Sequence, residues 1–159
     1  MILDERNEFA DATSVAAAAG TALIGDVIDL GTASRDIGAG QPVWLIIQTD
    51  TEIITGGSAG TIKFQLASDA QAAIATDGSA TVHLDTGTLV TDDAAANDNR
   101  LNAGGLIFSA ALPQGAVYER YLGILAVIAT TTVTAGKINA WLSSEPYPAQ
   151  RAYADAMPV

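Results

Sequence analysis

Apolar residues in this chain recur at every second position, in short runs cut off by glycine or proline. From Thr61 to Leu66 the order puts Ile62, Phe64 and Leu66 on one side and Lys63 and Gln65 on the other. Successive side chains of a strand point to opposite faces, so this is a half-buried strand. Thr81 to Thr91 repeats the alternation, with Val82 and Leu84 opposed to His83 and Asp85, and Gly87 marks a bend or bulge before Leu89 and Val90. Pro42 to Thr49 holds the continuous run Val43-Trp44-Leu45-Ile46-Ile47, rich in β-branched and aromatic residues, as expected of a central strand. Gly105 to Ala111, Arg120 to Ala129 and Lys137 to Ser143 read as further strands, and Asp26 to Leu30 as a short one.

Gly56 to Gly60, Asp77-Gly78-Ser79, Asn102 to Gly104, Pro113 to Gly115 and Ala135-Gly136 supply turns between these runs. Helix is confined to single turns at most, at Ala16 to Ala19 and Ala70 to Ala75, since both stretches are too short to hold without packing. An antiparallel sheet with one apolar face needs a second sheet to cover it. The expected fold is therefore all-β, an antiparallel sandwich of jelly-roll type. At 159 residues it fits one domain, 1–159.

The ends lack the pattern. About 1–20 reads as an N-terminal arm with Phe9 as the large apolar residue of its polar stretch Asp4 to Asp11, and about 145–159 as a C-terminal tail carrying Tyr147 and Tyr153. Arms of this kind lie across neighbouring subunits, the alternative being a tail packed on its own sandwich or left mobile, and arginine and tyrosine are favoured at contacts because they combine area with hydrogen bonding. Arg6, Phe9, Tyr147, Arg151 and Tyr153 are the candidate protein contacts.

Composition bears on partners. A net charge of −11 repels phosphate backbones, so nucleic acid is not an expected partner. If copies associate, their shared surface must be mainly apolar or locally paired. The absence of cysteine removes disulfides and thiolate metal sites. The acidic start Met1-Ile2-Leu3-Asp4-Glu5 is unlike a secretory signal, and no apolar run approaches the roughly 18 residues of a membrane span, so no membrane association is expected.

Four features could carry chemistry. His83 shares a strand face with Asp85, with Ser79 nearby, but Ser79 has no G-x-S-x-G setting, and His83 reads as an ordinary polar-face histidine. Asp92-Asp93 and Asn97-Asp98-Asn99 are rich in oxygen ligands, yet Ala94 to Ala96 interrupt them and no terminal glutamate follows, so a polar loop is expected instead of a calcium loop. Gly38-Ala39-Gly40 and Gly56 to Gly60 lack the lysine of a phosphate loop and read as turns. Trp44 and Trp141 fall inside strands, where packing explains them. The expectation is a protein that is not an enzyme and uses no cofactor or metal.

Several passages together carry a resemblance: Met1-Ile2-Leu3-Asp4, Val27-Ile28-Asp29-Leu30-Gly31 running into Arg35 to Leu45, Glu119-Arg120-Tyr121-Leu122, Thr134-Ala135-Gly136-Lys137-Ile138, and the ending Tyr153 to Val159. In order and spacing they resemble the small decoration, or cement, proteins of tailed-bacteriophage capsids. The resemblance implies a jelly roll that is made in the bacterial host cytoplasm, assembles as a homotrimer and sits on the outer capsid surface of the virion, tying subunits of the major capsid protein together. It carries over no catalytic residue. The alternative is a lectin-like ligand-binding jelly roll, with Trp44 or Trp141 and the Asp92 to Asn99 loop as its site.

Overall fold

Ile62, Phe64 and Leu66 are fully buried, and their polar alternates Lys63 and Gln65 both reach Asp85 on the outside. They belong to one of nine strands in the computed structural model, which describes residues 5–31, 37, 40–56, 58–92 and 98–147. In chain order these are β1 (Glu8–Ser14), β2 (Gly20–Asp29), β3 (Trp44–Thr55), β4 (Gly60–Asp69), β5 (Thr81–Asp85), β6 (Leu89–Thr91), β7 (Leu106–Ala111), β8 (Tyr121–Ala129) and β9 (Val133–Ser143). Short 3-10 turns span Glu5–Asn7 and Asn99–Leu101.

All pairings are antiparallel and fall in two sheets, β1-β9-β3-β7 and β2-β8-β4-β5, with β6 also on β4. The pairs are nested: β1 with β9, β2 with β8, β3 with β7, and β4 with both β5 and β6. The chain is thus one long hairpin folded over so that successive rungs alternate between sheets, which is the jelly roll. Gly87, at φ 73°, separates β5 from β6, the expected bend.

The two continuous apolar runs are explained by what covers their outer faces. On β8, Leu122, Ile124, Ala126 and Ile128 point into the core, while Leu125 faces outward beneath Ile74 together with Ala67. Asp69 holds the segment after β4 in place by accepting from the amides of Gln71 at 3.1 Å and Ala75 at 2.9 Å. Gly123 makes room, since a Cβ there would stand 2.6 Å from Ile74 Cδ1. On β3, Leu45 and Ile47 are core, and Ile46 faces outward under Trp141 and Tyr147.

Two expectations fail. Residues 8–14 are not an arm: they form β1, the edge strand beside β9, and Phe9 is 1% exposed within the core. Neither alanine stretch holds a helix, in keeping with single turns at most: Ala17 is bonded in both directions to Val133, and Ala70 to Ala75 forms bends. Val82 and Leu84 do not share a face. The pairings Leu66↔Leu84 and Ala67↔Val82 leave His83 as the extra residue of a bulge. Leu84 therefore packs on the core, and Val82 turns outward at 45% exposure.

Candidate interaction surface

Two passages far apart in sequence, Val27 to Gly31 and Glu119 to Leu122, meet at one end of the second sheet. Their register is Ile28↔Leu122 and Asp29↔Tyr121, and the amide of Leu30 donates to the Arg120 carbonyl at 2.8 Å. Arg120 donates through Nε and a terminal nitrogen to the two Asp29 carboxylate oxygens at 2.9 and 2.8 Å, and its guanidinium lies 4.9 Å from the centre of the Tyr121 ring. The two-pronged geometry is the strong form of this pair. In the third passage, Gly136 lies where a Cβ would come within 2.6 Å of Ile53 Cγ1, so the glycine there is required by packing.

The Asp29 carboxyl is held down at about 2, first by the Arg120 hydrogen bonds and then by the Gly31 amide. A carboxyl lowered from 3.8 contributes stability that is whole above that value and lost as pH falls through about 2. Both side chains are nearly half exposed, so the contribution to folding is small. An NMR titration is expected to give Asp29 a midpoint near 2, and Arg120→Ala to raise it towards 3.8 but not fully, because the Gly31 amide remains.

The candidate contact residues divide. Arg6 is exposed on the first 3-10 turn. Phe9 is in the core and unavailable to a partner. Tyr147, 8% exposed, folds back on the outer face of the first sheet, packing with Ile46 and Trp141 while its amide donates to Ser109 Oγ at 3.3 Å. Arg151 and Tyr153 lie outside the described residues.

His83, Asp85 and Ser79 are not brought together. Asp85 binds Lys63 and Gln65, and Ser79 binds Asp77 at 2.6 Å. His83 pairs instead with Ser68, whose Oγ is 2.8 Å from Nε2 and whose side chain is fully buried. The string Gly56 to Gly60 does match G-x-S-x-G, but it joins β3 to β4 with no helix following. Its Ser58 also lies the length of β4 from His83, about 26 Å.

Of the lectin-like site, residues 93–97 lie outside the described residues. Trp44 and Trp141 stand on the outer face near the start of β3, where Trp141 is buried. Asp92 stands at the other end of β3, where its carbonyl accepts from the Thr55 amide, and the Arg100 carbonyl accepts from buried Thr49 midway along β3. Asp98 spends both oxygens on Arg100, at 3.0 and 2.7 Å. Among the described residues, no group of three or more His, Asp or Glu is placed to hold a metal ion. No helix among them is long and apolar enough to cross a membrane.

A cleft of about 450 Å³ is lined by Asn7, Ile28, Leu30, Ile37, Val43 and Leu142. Along the neighbouring edge, where β1 and β2 meet, Glu5, Glu8, Asp11 and Asp26 gather. Partial burial, then Asp11, Glu5 and Asp26, raise the Glu8 pKa.

No curated protein sequence matches this chain. The Bbp16 family model matches residues 9–142, from the first strand through nearly all of the last, and on that match the chain belongs to the Bbp16 family.

Proposed function

We propose that this protein is a capsid decoration protein that binds the outer surface of an assembled major capsid shell, as a homotrimer, and stabilises it within the virion. The observation that carries this reading is the meeting of Val27 to Gly31 with Glu119 to Leu122 in a jelly roll, since passages that resemble decoration proteins piece by piece are joined in space as one unit. The name of the family suggests a phage-related protein, which agrees with it.

The mechanism needs no bond chemistry. A protein that binds the assembled shell in preference to free subunits stabilises assembly by mass action, and three linked footprints hold far longer than one. The acidic β1–β2 edge constrains how copies associate. Like charges brought face to face are costly, so Glu5, Glu8, Asp11 and Asp26 face away from neighbouring copies. Of the candidate contacts, Arg6, Arg151 and Tyr153 are kept for the shell or the trimer, while Phe9 and Tyr147 serve the chain's own fold.

Co-sedimentation with shells that lack the protein tests this, comparing expanded particles with unexpanded precursors. Saturable binding to expanded shells at a fixed copy ratio is expected. Absence of binding to both forms by folded protein rejects the proposal.

A further inference from the structure

We propose that His83 is the proton-sensitive part of a latch that holds the β7–β8 connection against the β4–β5 hairpin, and that protonating it loosens the connection. Three segments build the latch. β4 contributes the fully buried Ser68 hydroxyl. The β5 bulge contributes His83, with Nε2 2.8 Å from that oxygen. The connection contributes the Glu119 amide, which donates to the same oxygen at 3.1 Å, and the fully buried Tyr118, whose ring centre is 4.2 Å from that of the imidazole. The Tyr118 hydroxyl donates to the Pro113 carbonyl at 2.9 Å, so the connection is also tied to itself.

The protons on these atoms fix the direction. With the Glu119 amide donating into Ser68 Oγ, the hydroxyl's own proton needs an acceptor, and Nε2 of neutral His83 is in place to be one. Protonation at Nε2 turns that acceptor into a donor. Two donors then converge on one oxygen, and the hydroxyl proton is left buried without a partner, which is relieved by moving the Glu119 amide or the imidazole away.

Nearby charges modify this without reversing it. Burial lowers the His83 pKa, and Glu119 opposes that shift while its carboxylate accepts from Thr81 at 2.8 Å. Asp85 on β5 is bound to Lys63 and Gln65, Asp69 on β4 to the amides of Gln71 and Ala75, and Arg120 to Asp29. A histidine with a lowered folded pKa gives stability that is whole above the ordinary histidine range and declines as pH falls through the folded value. The connection also carries Val117, which is 66% exposed, so acidification frees a segment that displays an apolar side chain.

The test follows the His83 imidazole and the Glu119 amide by NMR in the whole chain, from about pH 8 to about pH 5, the range in which histidine changes charge. As His83 protonates, exchange at Glu119, corrected for its intrinsic pH dependence, is expected to rise about five- to hundredfold, the range set by one buried unpaired donor. The core amide of Ile124 is the reference. His83→Gln keeps an acceptor for Ser68 but does not titrate, and should give a flat profile. Ser68→Ala removes the stranded proton, and should abolish the step while His83 still titrates; it also serves if the glutamine variant fails to fold. The proposal is overturned by a Glu119 amide unchanged through the His83 titration, by the same step in either variant, or by a His83 that stays neutral over the whole range.

Discussion

Replacing Phe9 with alanine is expected to destabilise the isolated chain by about 3–5 kcal/mol, the cost of emptying a buried aromatic site. The ring is 1% exposed and packs in the same cluster as Ile24, Leu45 and Phe64. It also belongs to an edge strand held on one side only, by β9, so the neighbours have little means of collapsing into the space without releasing β1. Urea unfolding of the purified protein measures the effect, with no shell or partner present. Phe9→Leu, which keeps most of the volume, should lose about 1 kcal/mol. An alanine variant as stable as the parent would return Phe9 to the role of an exposed contact.

Gly25→Ala is the second large effect, expected at about 3 kcal/mol. Two causes add. Gly25 has φ 67°, a left-handed conformation that alanine adopts at a cost, and a Cβ there would overlap the Phe9 carbonyl oxygen. The second cause is the larger because β1 and β2 are the edges of different sheets, and their close approach at this point shuts one side of the sandwich. Gly78→Ala separates the causes. Its φ is 93° with nothing within 4 Å of the added atom, so it should show only the conformational cost, about 1 kcal/mol. Equal losses in the two variants would mean that the sandwich tolerates separation of β1 from β2.

Large side chains at every second position made much of the fold legible. The alternation along β4 sets both of its faces, the unbroken apolar run of β3 marks an interior strand, and Gly87 marks the break between β5 and β6. β1 escaped because Phe9 is the one large apolar residue among its small and polar ones, and the start of β2 because Gly20, Thr21 and Ala22 leave no alternation to read. Phe9 stood alone among polar residues and looked like an exposed anchor, whereas one aromatic ring and backbone pairing to β9 suffice to place an edge strand.

The surface features were harder for a different reason. Asp29 and Arg120 are 91 positions apart, and each looked like an ordinary strand-end charge until the register of β2 with β8 joined them. Ser68 and His83 were hidden by the bulge, which breaks the two-residue period at the point where it would have assigned faces. A one-residue insertion of this kind leaves no trace in composition, and period counting carries the wrong parity past it.

The nesting of the rungs also orders events in time. Ala12 bonds to Asn139 across 127 positions, while β4 and β5 meet within a short hairpin. Closing a long loop is entropically slow, so the innermost rung is the natural place to begin and the β1–β9 rung the last to form. On a ribosome, β1 therefore waits without its partner until β9 has left the exit tunnel. Until then the edge that will meet β9 stays open, and synthesis rate, as much as stability, sets how long the nascent chain is exposed to the wrong strand.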